Sequence, residues 1–357
     1  MGKIKIIVVA LLIVFETSLL LCLSACNIKP ITPKEYNTET FLNPIAEFSV
    51  ADPFIVYDSK TKFYYGLYTQ GDRLEIFRHK HVSKLFSQGE AKLIFTPDGS
   101  KGIWGDIWAP DMHRAKDGRW YVYASGRITQ EPGEKRIFGL ASKTADPFGE
   151  WEFIGLPASD VFSIDPTVVY APNRKRYMCY SRVDPVYGQV LDIALLTKDG
   201  KCENAQTIAR AELDWELVSP YVGTSAILEG PFFIQNNGRI FLIYSANGCW
   251  SNYYALGVLE YIGGAFNSPD SWKKHPEPLL TFGNGVYGPG HASFFYSPDK
   301  TELWCVYHGM AKSNENSTPA YRYCHLQKVE FDNTGYPVMG NPVGTTTQIA
   351  PPSGEEK

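Results

Sequence analysis

The stretch Asp52-Pro53-Phe54-Ile55-Val56-Tyr57 starts with a polar residue and continues as a short apolar run. It leads through a polar turn at 58–62 into the aromatic segment 63–68. The chain repeats this order five times. The polar residues at the heads of the repeats are Asp52, Asp111, Asp165, Glu229 and His291.

The spacing of the heads predicts the architecture. The intervals between them are 59, 54, 64 and 62 residues, which leaves room for a hairpin and two further strands in each unit. Four-stranded units of this kind bury their faces by stacking radially around an axis. The sequence therefore predicts an all-β fold, a five-bladed β-propeller over residues 46–345.

The heads also carry chemistry. Equivalent positions on the innermost strands of a propeller face one axis, so these polar side chains are expected to crowd a common centre. Crowded carboxyl groups raise one another's pKa, which lets one act as an acid while another stays a base. The alternative is that polar residues only cap the starts of strands, and for Asp111 this alternative is equally good.

Composition excludes several classes of protein. Of the 357 residues, 44% are hydrophobic and 20% charged, as in ordinary globular proteins, which excludes wholesale disorder. The formal net charge is −4 and no basic stripe is present, which argues against nucleic acid as a partner. Aromatic residues make up 14% of the chain, a composition typical of many short strands and of flat faces for a flat ligand.

The first 25 residues have the pattern of a signal peptide. Two lysines precede the apolar run 6–15, which is too short to span a bilayer as a helix. The following Leu23-Ser24-Ala25-Cys26 resembles the bacterial lipobox, in which the cysteine is lipidated. We therefore expect an exported lipoprotein anchored to a membrane at Cys26, with a tether over 26–45 and a flexible tail over 346–357. The alternative is a plain signal peptide cut near Ala25.

Five motifs in register carry a resemblance to a known family. They are Ala51-Asp52-Pro53-Phe54, Trp108-Ala109-Pro110-Asp111, Ile164-Asp165-Pro166-Thr167, Glu229-Gly230-Pro231 and Tyr287-Gly288-Pro289-Gly290-His291. Together they are similar to the motifs of family 43 glycoside hydrolases, over about residues 47–344. The resemblance implies that Asp52 is the general base and Glu229 the general acid. It also implies that Asp165 orients the acid and tunes its pKa.

This family often holds a central metal ion near the residue that matches His291. The resemblance therefore implies a structural calcium ion near the axis, while no cofactor is needed for the chemistry. A structural histidine bonded to neighbouring backbone is the alternative for His291.

Four further residues are predicted to bind substrate. Trp108 and Phe54 are candidates to stack on a sugar ring, since an aromatic ring offers a flat apolar face to its C–H side. Asp111 lies at the head of the second repeat, and Arg322 is a candidate partner for a sugar hydroxyl or a carboxylate. The alternatives are core packing for the aromatic rings and a surface salt bridge for Arg322.

The resemblance favours one function over two others. Asp214-Trp215-Glu216 and the segment 286–291 look closest to members that cleave α-L-arabinofuranosides. We therefore expect an inverting exo-glycosidase that acts on an arabinose-containing glycan. The alternatives are a β-xylosidase or galactosidase on the same scaffold, and a glycan-binding lipoprotein without catalysis.

Overall fold

Five antiparallel sheets of four strands follow one another along the chain in the computed structural model, which describes residues 35–158, 160–218, 226–312 and 321–357. Within each sheet the strands pair in chain order, so that every sheet is a simple meander. The prediction of an all-β, five-bladed β-propeller is confirmed.

The strand bounds, blade by blade, are as follows. Blade 1 contains β1 to β4, at Ala51–Asp58, Phe63–Thr69, Leu74–His79 and Glu90–Phe95. Blade 2 contains β5 to β8, at Gly105–Arg114, Trp120–Arg127, Lys135–Ser142 and Trp151–Gly155. Blade 3 contains β9 to β12, at Ser163–Tyr170, Arg176–Asp184, Gly188–Leu196 and Cys202–Ala209. Blade 4 contains β13 to β16, at Leu228–Asn236, Arg239–Ala246, Ala255–Tyr261 and Trp272–Lys274. Blade 5 contains β17 to β20, at Tyr287–Tyr296, Leu303–Met310, Tyr323–Phe331 and Pro337–Val338.

Helices are short throughout the described residues. One α-helix, α1, spans Leu85–Gln88, and 3-10 helices span Val82–Lys84, Asp214–Glu216 and Pro269–Ser271. In the ranges that the structure describes, no helix is long and apolar enough to cross a membrane.

Turn chemistry explains why the hairpins form where they do. In the hairpin of β13 and β14, Asn237 has φ 48° and Gly238 has φ 80°. Positive φ at both central residues is what a type I′ turn requires, and this turn matches the right-handed twist of the strands. In the hairpin of β1 and β2, Asp58 accepts a hydrogen bond from the backbone N–H of Thr61.

The innermost strand of each blade carries the same β-bulge, in which two residues lie opposite one residue of the next strand. The first bulge residue has a positive φ of 43–56° in every blade. These bulge residues are Asp52, Ala109, Asp165, Gly230 and His291. The predicted heads Asp111 and Glu229 are therefore not equivalent to the others, because Asp111 lies two residues after its bulge residue and Glu229 lies one before.

Hydrogen bonds at the bulges join each blade to the next. Four of the bulge N–H groups donate a hydrogen bond to a side chain on the second strand of the preceding blade. The donors are Ala109, Asp165, His291 and Asp52, and their acceptors are, in the same order, Thr69, Ser125, Ser245 and His308. At the fourth blade, Gly230 donates instead to Asp165 Oδ2 at 3.0 Å. The buried N–H groups that the bulges leave unpaired are thereby satisfied, and the polar bulge side chains are held at one end of the axis.

Hydrogen bonds join the N-terminal and C-terminal segments of the described chain to each other and to the propeller. Ile45 N–H donates to the carbonyl of Cys324 at 3.0 Å, and Phe41 pairs with Ile349. Glu355 is buried and accepts hydrogen bonds from Asn37 Nδ2 at 2.6 Å and from the N–H of Val82 at 3.1 Å. The segment 346–357 is thus held against the propeller, unlike the flexible tail that we predicted, because its carboxylate and backbone have buried partners. The same contacts hold residues 36–45 of the predicted tether, whereas the predicted leader and residues 26–34 lie outside the described residues.

Candidate active site

A cavity of about 550 Å³ opens where the innermost strands begin. Asp52 from blade 1, Asp165 from blade 3 and Glu229 from blade 4 line it together. Trp108 and Arg322 also line this cavity, which is called the catalytic pocket below. The three acidic residues that the sequence predicted as catalytic are therefore brought together.

Asp52 is buried and surrounded by donors and bases. Arg322 Nη1 donates to Asp52 Oδ1 at 2.9 Å, and Thr69 Oγ1 donates to Asp52 Oδ2 at 2.5 Å. His291 Nδ1 lies 3.3 Å from Oδ1. Burial alone would raise the pKa of Asp52, but the Arg322 guanidinium and the His291 imidazole outweigh burial, so that the pKa lies well below its usual range. Asp52 is therefore anionic at neutral pH.

The pKa of Glu229 is shifted in the opposite direction to that of Asp52. The pKa of Glu229 is raised to about 7, because burial and the charge on Asp52 raise it by more than the hydrogen bond from Tyr254 lowers it. Tyr254 donates its hydroxyl to Glu229 Oε1 at 2.8 Å. Glu229 can therefore hold a proton at neutral pH and keeps one oxygen free of this contact.

Asp165 holds the backbone next to the acid in place. Its Oδ2 accepts the N–H of Gly230 at 3.0 Å, and so fixes the bulge that follows Glu229 directly. Burial raises the pKa of Asp165 well above its usual value, and the neighbouring Glu229 raises it further. We predicted that the charge of Asp165 raises the pKa of Glu229, whereas burial and Asp52 are the larger causes in the structure.

The opposite pKa shifts of Asp52 and Glu229 suit one carboxyl group to act as a base and the other to act as an acid. Asp52 is anionic and can take a proton, while Glu229, with a pKa of about 7, can hold a proton and give it. Two carboxyl groups in one pocket whose pKa values are pushed apart are what glycoside hydrolysis requires. The pocket thus has the chemistry of a glycosidase.

The predicted substrate-binding residues divide into two groups. Trp108 is 36% exposed at the pocket wall, and the Lys135 ammonium lies 3.9 Å from its ring centroid. Lys135 thus lies over one face of the indole, and the exposed part of Trp108 lines the pocket. Arg322 lines the pocket as well, and its guanidinium bonds the carboxylate of Asp52.

Phe54 and Asp111 do not line the catalytic pocket in the described part of the chain. Phe54 is 4% exposed and packs against Phe232, with ring centroids 6.2 Å apart. It follows the bulge, so its side chain enters the core, and the stacking role predicted for it does not match this position. Asp111 lines a narrower axial cavity, where its pKa is raised to about 7 because burial outweighs the hydrogen bond with Thr167.

His291 was the candidate for holding a metal ion. One nitrogen or oxygen atom each of His291, Asp165 and Glu229 lies within 4.8 Å of the others. This set offers a nitrogen and two carboxyl groups whose pKa values are raised, whereas Ca²⁺ prefers six to eight oxygen ligands with anionic character. The side chains fit calcium poorly, and a calcium ion near the axis stays a prediction.

Sequence reasoning missed the residues that support the carboxyl groups. Thr69 and His308 sit at the same position of the second strand in blades 1 and 5, and both contact Asp52. Tyr254, in the loop between β14 and β15, contacts Glu229. A different signal was available for the head of blade 2. A proline follows the first bulge residue in four blades, and aligning the repeats on this proline assigns that head to Ala109 and not to Asp111.

Comparison with known proteins agrees with this chemistry. The family model described as "Glycosyl hydrolases family 43" matches residues 41–337. The chain belongs to glycosyl hydrolase family 43. The resemblance inferred from the five motifs is therefore confirmed.

Two relatives of this family 43 member are named for their activity. It is 32% identical over 317 residues to an extracellular exo-α-(1→5)-L-arabinofuranosidase of Streptomyces avermitilis, covering 85% of this chain and 64% of the relative. It is 31% identical over 273 residues to an extracellular exo-α-(1→5)-L-arabinofuranosidase of Streptomyces chartreusis, covering 72% and 79%. The chain thus spans slightly less than two thirds of the length of the first of these relatives.

Solved structures show the same fold. The crystal structure of an α-L-arabinofuranosidase from Lactobacillus brevis superposes with a TM-score of 0.77 at 25% identity, covering 86% of this chain and 98% of that one. A thermostable family 43 glycoside hydrolase superposes with a TM-score of 0.71 at 21% identity, covering 88% of this chain and 100% of that one.

Proposed function

We propose that this family 43 member is an inverting exo-glycosidase that hydrolyses terminal α-L-arabinofuranosyl residues. The observation that carries the proposal is the pairing in one pocket of an anionic Asp52, bound to Arg322, with Glu229, whose raised pKa lets it hold a proton at neutral pH. The activities named for the two Streptomyces relatives and for the Lactobacillus brevis enzyme support the choice of sugar.

The proposed reaction uses these protonation states. Asp52 takes a proton from a water molecule while the oxygen of that water forms a bond to the anomeric carbon. The bond from this carbon to the glycosidic oxygen breaks, and Glu229 gives its proton to that oxygen. After one turnover Asp52 is protonated and Glu229 is anionic, and exchange of protons with solvent restores both. The water attacks opposite the leaving group, so the sugar is released with inverted configuration.

The surrounding residues hold this pair in place. Arg322 keeps Asp52 anionic until it accepts the proton, and Asp165 fixes the backbone at Gly230 beside the acid. Trp108 offers one indole face to the sugar ring, as aromatic walls in sugar pockets do. Asp165 also supplies a carboxyl group to the same pocket and can bind a ring hydroxyl.

A substrate panel tests the choice of sugar and the mode of action. Leaving a buried polar group unpaired costs about 1–3 kcal/mol, so one mismatched hydroxyl lowers kcat/KM about tenfold or more. We expect the aryl α-L-arabinofuranoside to exceed the aryl β-D-xylopyranoside and the galactoside by at least about tenfold in kcat/KM. Linear arabinan is expected to release single arabinose units from the start. A reversed ratio would instead assign a β-xylosidase or a galactosidase, and early oligosaccharide products would assign an endo enzyme.

We also propose that the protein is exported and anchored through a lipid on Cys26. The apolar run, the small residues before Cys26 and the word "extracellular" in the names of both Streptomyces relatives support export. In a bacterial host the wild type should partition with membranes, and Cys26→Ser should not. An intact mass that shows an unmodified N-terminus beyond residue 26 would contradict the anchor.

A further inference from the structure

We propose that the stacked rings of Tyr254 and His308 position both catalytic carboxyl groups. The inference rests on the proposed function, in which Glu229 is the acid and Asp52 the base. Tyr254 and His308 are thus positioning residues that act through these two carboxyl groups.

The pair connects the acid to the base through short contacts. The two rings lie parallel, with centroids 5.5 Å apart and an interplanar angle of 5°. At one end the Tyr254 hydroxyl donates to Glu229 Oε1 at 2.8 Å. At the other end His308 Nδ1 accepts the backbone N–H of Asp52 at 3.1 Å and lies 3.3 Å from Oδ1 of the same residue. Both rings are fully buried, so neither can reorient without displacing its neighbours.

Two glycines of the Tyr287-Gly288-Pro289-Gly290-His291 motif make room for Tyr254 and for the loop that carries it. A Cβ atom on Gly290 would lie 2.3 Å from Cε1 of Tyr254, and one on Gly288 would lie 2.4 Å from the carbonyl oxygen of Ser251. Gly290 is also the ladder partner of His308, so the tyrosine ring packs against the bare backbone beside the imidazole. The motif thus serves the placement of Tyr254 as well as that of His291.

Packing alone does not account for the imidazole of His308. Its Nε2 is buried and has no hydrogen-bond partner among the described residues. An unpartnered buried polar atom costs free energy, and an apolar ring of similar size would fill the same space without that cost. The nitrogen that does have a partner is the one that accepts the N–H of Asp52, which points to the positioning of Asp52 as the reason for a histidine here.

Tyr254→Phe tests the acid side, because it keeps the ring stack and removes only the hydroxyl. A poorly placed general acid matters most when the leaving group is poor. We expect kcat on an arabinose disaccharide to fall about tenfold or more, and kcat on a 2,4-dinitrophenyl arabinofuranoside to fall less than about threefold. Tyr307→Phe is the matched control, since Tyr307 is equally buried and stacks on His325 at 5.5 Å without touching a catalytic carboxyl group.

Two substitutions at His308 test the base side. His308→Phe keeps a ring for the stack and removes the acceptor, while His308→Asn keeps an acceptor close to the Nδ1 position. We expect His308→Phe to lower kcat about tenfold or more on both substrates, because attack of water is needed in each case, and His308→Asn to recover part of the loss. His325→Phe is the control for a buried histidine in the same blade, and circular dichroism confirms folding of every variant.

The outcomes separate this inference from the proposed function. Retention of wild-type kcat by both Tyr254→Phe and His308→Phe would overturn the positioning role. So would an equal loss on both substrates for Tyr254→Phe together with no recovery in His308→Asn, because that pattern indicates a merely structural effect. The proposed function fails by a different result, namely high activity of Asp52→Asn or Glu229→Gln.

Discussion

Arg322 donates through Nη1 to Oδ1 of Asp52 at 2.9 Å, although 270 residues separate the two in the chain. Arg322 lies just before β19 of the last blade, and Asp52 lies in the first strand of the first blade. The carbonyl of Arg322 also accepts the N–H of Val50 at 2.8 Å. The contact that closes the ring of blades therefore also sets the charge of the candidate base.

Arg322→Gln is expected to move the whole pH profile of kcat/KM to higher pH. Arg322 lowers the pKa values of both Asp52 and Glu229, so its removal raises both. A higher pKa for Asp52 means that less of the base is anionic at acidic pH, and activity is lost there first. The acidic limb should shift more than the alkaline limb, because Arg322 bonds Asp52 directly.

Arg239→Gln is the matched control for that measurement. Arg239 pairs with Glu260 at 2.7 Å and is similarly buried, but in a different part of the propeller. Its pH profile should overlay that of the wild type. An acidic limb that stays in place in Arg322→Gln would contradict the assigned role of the guanidinium.

Trp108→Ala is expected to raise KM about tenfold or more, because a stacking face for the sugar ring is lost. Lys135→Met should raise KM by a smaller factor, since the ammonium over the ring holds the indole in place. Trp104→Ala serves as the control, because Trp104 is 42% exposed but is not among the described residues that line the catalytic pocket. Equal KM values for the Trp108 and Trp104 variants would exclude a sugar wall at Trp108.

Glu355→Ala is expected to lower the free energy of unfolding by about 1–3 kcal/mol, because partners of a buried carboxylate are left unpaired. The neighbouring Glu356→Ala removes an exposed ion pair with Lys62 and should cost less than about 1 kcal/mol. Denaturant unfolding of the two variants measures the difference. Equal stability would mean that the C-terminal segment is not held as the contacts of Glu355 indicate.

The repeat pattern was sufficient to predict the fold because each blade is a local meander. A polar residue, an apolar run, a turn and an aromatic strand occur in nearly contiguous sequence, so the pattern shows the blade without knowledge of long-range contacts. Asp52, Asp165 and Glu229 followed from the same pattern, because the innermost strands share one axis.

The positions of Asp111 and Phe54 could not be predicted in the same way. A bulge with positive φ changes which side chains face the pocket, and most residues in the five bulges are not the glycine that signals such a conformation. Asp111 and Phe54 each lie two residues after the first bulge residue of their blade. Asp111 therefore lies further along the axis than the catalytic carboxyl groups, and the Phe54 side chain enters the core. The Tyr254–His308 stack was not predictable either, since it joins β18 to a loop of the preceding blade.

The stereochemistry of the product distinguishes a general base from a nucleophile at Asp52. Proton NMR in the first minutes of hydrolysis of an aryl α-L-arabinofuranoside should show β-L-arabinofuranose before mutarotation. The reason is that water, and not the carboxylate, attacks the anomeric carbon in the proposed reaction. Initial release of the α anomer would assign Asp52 as a nucleophile.

The central claim is that Asp52 and Glu229 are the base and the acid of one hydrolytic reaction. The most direct test is kcat/KM on an unactivated α-1,5-linked arabinose disaccharide for the wild type, Asp52→Asn and Glu229→Gln, with circular dichroism to confirm folding. Removal of a general acid or base costs about a hundredfold to ten-thousandfold, so both variants are expected to lose at least a hundredfold. Either variant retaining more than a tenth of wild-type kcat/KM would contradict the account.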